Sequence, residues 1–257
     1  MNILKPTGDR KTRFRNAQKN TFGLYPGPTG DGTCPYATLG EGGCSQIKPG
    51  RKLPTCYVFR TITAYKNVGP ALLHNTNLLR TATHTEKVAL LTSEFKRFHR
   101  IESEQADPKM FYRLHWSGDI FDQAYAEALS EAMCAFPDIT FWNYTRSFSE
   151  GAWLAFHTPN LLQYFSLDVV NIEPGLCLYF TTRDTKGMQG QLLLSYMSPV
   201  NDFAARYAEL RSRHAIWPEG APVLTACPTD EQKLPVADAC SKCRKCLTSK
   251  HIWFKTK

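Results

Sequence analysis

Segments typical of β-strands alternate with segments typical of α-helices over most of this sequence. A strand is predicted at residues 110–116, a helix capped by Asp122 follows it, and the next strand is predicted at residues 139–145. Such alternation builds βα units, whose strands lie parallel in one sheet. Six or seven strands of this kind are enough for a barrel. We therefore expect an α/β fold with mostly parallel strands that form a partial or full βα barrel.

The remaining elements follow from the same patterns. Val88, Leu91, Phe95 and Phe98 recur at helical spacing and predict a helix that ends before Pro108. Further strands are predicted at residues 57–64, 162–167, 176–182, 191–197 and 222–226, and further helices at residues 149–157 and after a cap at Asn201.

Four polar clusters lie at the carboxyl ends of predicted strands. In parallel α/β folds the functional groups collect at the carboxyl ends of the strands. An ordinary turn or helix cap explains any one cluster, but four of them favour a shared site. The clusters are Ser117-Gly118-Asp119, Asn143-Tyr144-Thr145-Arg146-Ser147, Ser166-Leu167-Asp168 and Thr181-Thr182-Arg183-Asp184.

Nine cysteines are a high number for a chain without a recognisable secretory leader. An odd number in such a chain argues against a disulfide framework. Cys134 and Cys177 lie in apolar segments and are interpreted as core residues. The other seven form an N-terminal group (Cys34, Cys44 and Cys56) and a C-terminal group (Cys227, Cys240, Cys243 and Cys246).

The C-terminal group has the spacing of a metal centre. Two-residue gaps separate Cys240, Cys243 and Cys246, which lets their thiolates converge, and Cys227 supplies a fourth. Such a row favours a 4Fe–4S cluster, with structural zinc as the alternative metal.

The N-terminal group supplies three thiolates. Cys34, Cys44 and Cys56 would leave one position open on a 4Fe–4S cluster, where a substrate or cofactor can coordinate. A zinc site completed by a distant histidine such as His115 is the alternative. His115 itself is either a structural strand residue or part of the site beside Asp119.

Basic residues concentrate at the two ends of the chain. The net charge is +8, with a net +5 in residues 1–20 and a net +6 in residues 240–257. Basic ends attract phosphates, so nucleic acid or a nucleotide is a candidate partner, and a solubilising tail is the alternative. No run of about 18 apolar residues occurs. We therefore expect a cytoplasmic protein without a membrane partner.

Several of these motifs together resemble the radical S-adenosylmethionine enzymes. In that superfamily three cysteines, the last followed by an aromatic residue, precede a βα barrel. In this sequence Tyr57 follows Cys56 in the same way. Ser117-Gly118-Asp119 is similar to its Gly-Gly-Glu turn, which contacts the methionine amino group. Ser166-Leu167-Asp168 is similar to its Ser-x-Asp strand end, and the C-terminal group resembles its auxiliary-cluster domains.

A narrower resemblance is to a bacteriophage family known as gene product 88, which is described as radical-SAM-like. Residues 34–247 carry it, through Cys56-Tyr57, residues 113–119, residues 142–147 and the final cysteine row. The resemblance implies a phage-encoded protein in the host cytoplasm. Together with the turn-rich, basic composition of the first 33 residues, it predicts three parts: an irregular basic arm (1–33), the α/β barrel (34–226) and a cysteine-rich auxiliary segment (227–257).

The resemblance implies an enzyme that reductively cleaves S-adenosylmethionine, with an external electron donor. Its two cysteine groups would hold 4Fe–4S clusters, and a substrate such as a nucleotide or DNA base would lie near Arg146, Arg183 and His115. The implied S-adenosylmethionine contacts are Tyr57, Ser117, Gly118, Asp119, Ser166 and Asp168. The alternatives are a non-catalytic, metal-stabilised protein that binds nucleic acid or a host protein, and an iron–sulfur redox protein that does not use S-adenosylmethionine.

Overall fold

The computed structural model has one β-sheet of seven strands at its centre. It describes residues 3–7, 20–41, 43–50, 52, 54, 56–183, 185–214, 217–228, 240 and 243–255, so residues 1–2 and 8–19 of the predicted basic arm lie outside the described residues. The strands are β1 (Thr21–Phe22), β2 (Phe111–His115), β3 (Thr140–Thr145), β4 (Leu161–Leu167), β5 (Gln191–Ser198), β6 (Thr225–Ala226) and β7 (Ile252–Lys255).

Seven α-helices connect the strands within the described part of the chain. They are α1 (Tyr57–Ala64), α2 (Val68–Thr81), α3 (His84–Ser103), α4 (Gln123–Cys134), α5 (Phe148–His157), α6 (Ile172–Thr182) and α7 (Phe203–Arg211). None of the described helices is long and apolar enough to cross a membrane.

Every pairing in the sheet is parallel, and the strand order is β1-β2-β3-β4-β5-β7-β6. This order confirms the predicted α/β class with a parallel sheet. Strands β1 and β6 form its two edges and do not pair with each other, so the sheet is not closed over the described residues.

The two faces of the sheet are covered differently. Side chains alternate between the faces along each strand, as Phe141 and Trp142 do on β3. Phe141 packs into the core formed with α3, α4 and α5, and Leu194 of β5 packs into the core formed with α6 and α7. Trp142 packs on the other face, against cysteines of the C-terminal segment.

Most of the predicted elements are confirmed, including the strands that became β2, β3, β4 and β5. The Asp122 cap is also confirmed, because its carboxylate accepts a hydrogen bond from the Tyr125 N–H at 2.7 Å. The last helix begins after Asp202 rather than after Asn201 as predicted, and Asp202 makes no side-chain capping bond.

Two predicted strands are wrong, because both segments are helices. Residues 57–64 are rich in β-branched side chains, yet they form α1, in which Val58 and Ile62 lie four residues apart and pack in one cluster. Residues 176–182 belong to α6, where Leu176 and Tyr179 are buried at helical spacing. A short apolar run does not distinguish a buried strand from a buried helix.

Two strands were not predicted. Strand β1 lies inside the segment interpreted as an irregular arm, and β7 lies inside the segment interpreted as a cysteine-rich tail. Strand β1 pairs with β2, and β7 pairs with both β5 and β6. Residues from both ends of the sequence therefore belong to the same sheet as the middle of the chain.

Candidate functional site

The carboxyl ends of β2, β3 and β4 meet in a buried polar cluster. Ser117 and Asp119 follow β2, Arg146 follows β3 and Asp168 follows β4, and each is less than a tenth exposed. Parallel neighbouring strands bring their carboxyl ends to one edge of a sheet. The structure thus brings together three of the four polar clusters that were predicted at strand ends.

Both carboxylate oxygens of Asp168 are occupied by hydrogen bonds from the protein. Oδ2 accepts from Thr38 Oγ1 and from Arg146 Nη1, each at 2.7 Å. Oδ1 accepts from the backbone N–H groups of Val170 at 2.9 Å and Asn171 at 3.2 Å. These bonds attach the loop that contains Thr38 to the ends of β3 and β4.

Asp119 is held in a similar way at the end of β2. Its Oδ1 accepts from Thr145 Oγ1 at 2.5 Å and from the Ile120 N–H at 2.8 Å. Its Oδ2 accepts from the Arg146 N–H at 2.7 Å. Complete burial raises the pKa of this carboxyl to about 6, although the hydrogen bonds act in the opposite direction.

One hydrogen-bond donor of the Arg146 side chain has no acceptor among the described residues. Its Nη1 donates to Asp168 and, at 3.2 Å, to Thr38 Oγ1. Its Nη2 is buried and has no hydrogen-bond partner within the described part of the chain. The guanidinium also lies near enough to Cys56 to lower the pKa of that thiol, which burial raises. Arg146 therefore offers a buried positive donor whose charge acts on the Cys56 thiol.

The turn after β2 requires glycine. Gly118 has φ +78°, in the left-handed region, and a Cβ at this position would lie closer than 3.0 Å to Thr33 Oγ1 and to Leu24 Cβ. The preceding Ser117 donates through Oγ to the Leu24 carbonyl at 2.8 Å. The turn thus packs tightly on the segment that leads from β1 into the cysteine loop, residues 34–56.

Hydrogen bonds attach the cysteine loop, and the residue directly before it, to this cluster. Thr33, next to Cys34, accepts through Oγ1 from the Asp119 N–H at 3.4 Å. Thr38 Oγ1 accepts from the Cys44 N–H at 2.9 Å. Cys34 therefore lies at the end of β2, and Cys44 lies near the end of β4.

Cys56 and Tyr57 lie at the third point of attachment. The Tyr57 hydroxyl donates to the carbonyl oxygen of Trp116, directly before the glycine turn. Cys56 packs in a small cluster with Val58 and Trp116. Tyr57 is 48% exposed, so its ring forms part of the surface beside the loop.

The three N-terminal thiols are near one another. Burial raises the pKa of Cys34 far above its usual value, and the charges of Asp119, Cys56 and Cys44 raise it further. Burial raises the pKa of Cys56, and Cys44 again adds to the effect. Nevertheless, no three His, Cys, Asp or Glu side chains of the described residues are arranged as a preformed metal site. The three thiols are therefore near one another but are not arranged around a common metal position.

The C-terminal cysteines lie on the sheet face opposite to the helices. Cys227, Cys240 and Cys246 pack beside an apolar layer. Burial raises the pKa of Cys246 to about 11, with contributions from Cys227 and Cys243, so these thiols are also neighbours. The apolar layer consists of Trp142, Leu162, Tyr164, Leu193 and Ile252.

Side chains of the sheet hold this cysteine segment in place. The Tyr164 hydroxyl donates to the carbonyl oxygens of Cys246 and Lys250, each 3.0 Å away. The Arg113 guanidinium carbon lies 5.4 Å from the centre of the Tyr144 ring in the same region. The C-terminal cysteines therefore lie against a face of the sheet, whereas the N-terminal cysteines lie at the carboxyl ends of its strands.

Arg183 is not part of the cluster at the carboxyl ends. Its cluster follows helix α6 and not a strand, and Asp184 lies outside the described residues. Arg183 lines a shallow cleft with Gln191 at the amino end of β5, and its guanidinium lies over the ring of Phe180, 4.9 Å from the centre. Arg146 and Arg183 thus lie at opposite ends of the sheet.

His115 and Ser166, which were also predicted as site residues, make hydrogen bonds within the fold. His115 is 2% exposed, and its Nε2 lies 2.8 Å from the Tyr125 hydroxyl, to which it is hydrogen-bonded. Burial lowers the pKa of His115 to about 3, so the ring is neutral. The Ser166 carbonyl accepts from Asn171 Nδ2 at 3.1 Å, next to Asp168.

Sequence reasoning missed Thr33 and Thr38, which link the cysteine loop to the strand ends. Threonines in a glycine-rich loop give no recognisable signal. Asn171 was also missed, although its position three residues after Asp168 is typical of side-chain-to-backbone turns.

The comparisons with known proteins agree with the narrower resemblance. The family described as "Gene product 88" matches residues 2–251. The chain is 29% identical to the "Gene 88 protein" of Mycobacterium phage L5, over 98% of each chain. It is 34% identical to the "Gene 88 protein" of Mycobacterium phage D29, over 67% of this chain and 71% of that protein. No solved structure matches. The chain therefore belongs to the gene product 88 family, whose two relatives named here are bacteriophage proteins.

Proposed function

We propose that the chain is an iron–sulfur enzyme of radical S-adenosylmethionine type that modifies a nucleotide or a DNA base. The attachment of the cysteine loop to the carboxyl ends of β2 and β4, through Thr33 and Thr38, is the observation that supports this proposal. Reacting groups of parallel α/β enzymes collect at this edge of the sheet. A partial βα barrel is part of the same proposal.

The N-terminal thiols suit a 4Fe–4S cluster by the chemistry of the donor set. Thiolates are the usual ligands of iron–sulfur clusters, and Cys34, Cys44 and Cys56 would leave one iron for S-adenosylmethionine. Because the thiols are neighbours that have not converged, we expect metal binding to draw the loop together. When bound, the cluster supplies the electron for reductive cleavage.

The hydrogen bonds of Asp168 and Asp119 change the roles that the resemblance implies for these two residues. Asp168 accepts four hydrogen bonds from the protein, so we assign it to positioning the cysteine loop and assign contact with the ribose to Ser166. The Asp119 carboxylate is also occupied, so the Ser117-Gly118-Asp119 turn would receive the methionine ammonium through main-chain oxygens.

Arg146 is the residue best placed to bind an anion at this edge. Its unpartnered Nη2 is a buried cationic donor, and the charge of the guanidinium lowers the pKa of the Cys56 thiol. A carboxylate or phosphate at that position would satisfy the donor with a charge-assisted hydrogen bond.

The C-terminal group would hold a second cluster that relays electrons from an external donor. Cys227, Cys240, Cys243 and Cys246 supply the four thiolates that such a cluster requires. Zinc is the alternative metal for the same four ligands.

Anaerobic purification followed by metal and product analysis tests the proposal. We expect about eight irons and eight sulfides per chain. Reduction in the presence of S-adenosylmethionine should yield 5′-deoxyadenosine, and Cys34→Ser should abolish that product. Cys134→Ser is the matched control, because Cys134 belongs to neither group and is exposed, so the prediction that it is a core residue is wrong. Stoichiometric zinc with no product would contradict the proposal and favour a metal-stabilised binding protein.

A further inference from the structure

The cysteine loop, α1 and α2 form one side of the candidate site. This side is strongly basic. Residues 42–85 contain six lysines and arginines and no aspartate or glutamate. Lys48, Lys52, Arg60 and Lys66 are exposed and take part in no salt bridge within the described part of the chain. An unpaired basic surface next to a site attracts a polyanion.

Two exposed tyrosines lie among these charges. Tyr57 and Arg60 are three residues apart on α1 and therefore share a face of the helix. Tyr65 and Lys66 follow directly after the helix, and Tyr65 is 64% exposed. We call Tyr57, Arg60, Tyr65 and Lys66 the α1 stripe. It alternates aromatic rings with cations and begins at the residue next to Cys56.

We propose that the α1 stripe binds single-stranded nucleic acid and leads it to the cysteine loop. Exposed rings stack on unpaired bases, while neighbouring cations contact the phosphates, and this combination is typical of proteins that bind single strands. The inference deepens the proposed function by naming its substrate class. It rests on that function only for the claim that the bound strand is modified.

The composition of the α1 stripe favours nucleic acid over a lipid surface. A helix that lies on a membrane presents a broad apolar face to the acyl chains. The buried side of α1 carries Val58, whereas its exposed positions include Arg60, Thr63 and Ala64. This side of α1 therefore lacks large aliphatic groups for insertion.

Fluorescence anisotropy with a labelled oligodeoxythymidine tests the inference on the full chain. We expect binding that weakens with salt, and Arg60→Gln with Lys66→Gln should reduce the salt slope by about 1.4, since each phosphate contact on a single strand contributes about 0.7. Tyr65→Ala should lower the affinity about five-fold or more, and Tyr65→Phe, which keeps the ring, should not.

The matched control removes two charges from another helix. Lys96 and Arg100 are exposed on α3 and form no salt bridge in the described structure, so Lys96→Gln with Arg100→Gln changes the net charge equally. Equal losses in both double variants would overturn the inference, as would failure of the full chain to bind the oligonucleotide at low salt. Binding to anionic phospholipid vesicles without binding to the oligonucleotide would replace nucleic acid with a membrane. Formation of 5′-deoxyadenosine tests the proposed function separately.

Discussion

The Arg146 guanidinium donates through Nη1 to Asp168 Oδ2 at 2.7 Å, and the two side chains are only 8% and 1% exposed. This ion pair joins the ends of β3 and β4. Because Thr38 donates to the same carboxylate oxygen, the pair also fixes the loop between Cys34 and Cys44. One buried contact thus links the strand ends of the fold to the loop of the candidate site.

Breaking this pair should destabilise the protein strongly. Removing one partner of a buried ion pair leaves an uncompensated charge, so Asp168→Asn and Arg146→Gln should each lower the free energy of unfolding by about 3–5 kcal/mol. The double variant should lose less than the sum of the two, as measured by urea unfolding. Additive losses, within about 0.5 kcal/mol, would show that the two side chains do not interact in solution.

Gly118→Ala should be much more harmful than a change at another glycine with positive φ. The new Cβ would approach Thr33 and Leu24 closer than 3.0 Å, in addition to the backbone cost. Gly30, with φ +58° and open space around it, is the matched control. We expect Gly118→Ala to lose about 1–3 kcal/mol more than Gly30→Ala in urea unfolding. Equal losses would contradict the tight packing of the turn.

Cys243→Ser should remove one metal centre and spare the other. Because metal binding is coupled to folding, the variant should also give less soluble protein. Iron analysis after anaerobic purification should find about half of the iron of the unsubstituted chain. Cys134→Ser, outside both groups, should retain all of it. Full iron and normal stability in Cys243→Ser would exclude Cys243 as a ligand.

Protonation of His115 should lower the free energy of unfolding in acid. Burial lowers its pKa from 6.5 to about 3 in the folded chain, so the unfolded chain binds the proton more tightly. Stability should therefore fall as the pH decreases from 6.5 towards 3. Between pH 7 and pH 4 this group should account for about 3 kcal/mol.

The pH dependence is measured by urea unfolding of the unsubstituted chain and of His115→Gln. The variant is less stable at neutral pH, because it loses the bond to Tyr125, but its stability should change less on acidification. Parallel pH profiles for the two proteins would mean that His115 titrates normally in the folded state.

The sequence by itself determined the parallel α/β class and the strand ends at which the polar residues collect. Strands β2 to β5 are long enough for their apolar patterns to be recognised, and Asp122 marks the start of α4 through a local capping bond. Those signals depend on neighbouring residues, so they can be read without knowledge of distant contacts.

Only the tertiary structure decided the elements and roles that depend on distant partners. Tyr57–Ala64 is helical because its apolar side packs on α2, and β1 and β7 are strands because the sheet supplies their hydrogen bonds. Arg183 was predicted at a strand end, but α6 places it at the opposite end of the sheet from Arg146. Thr38 bonds to Asp168 across 130 residues of sequence, and no local pattern encodes a contact of that range.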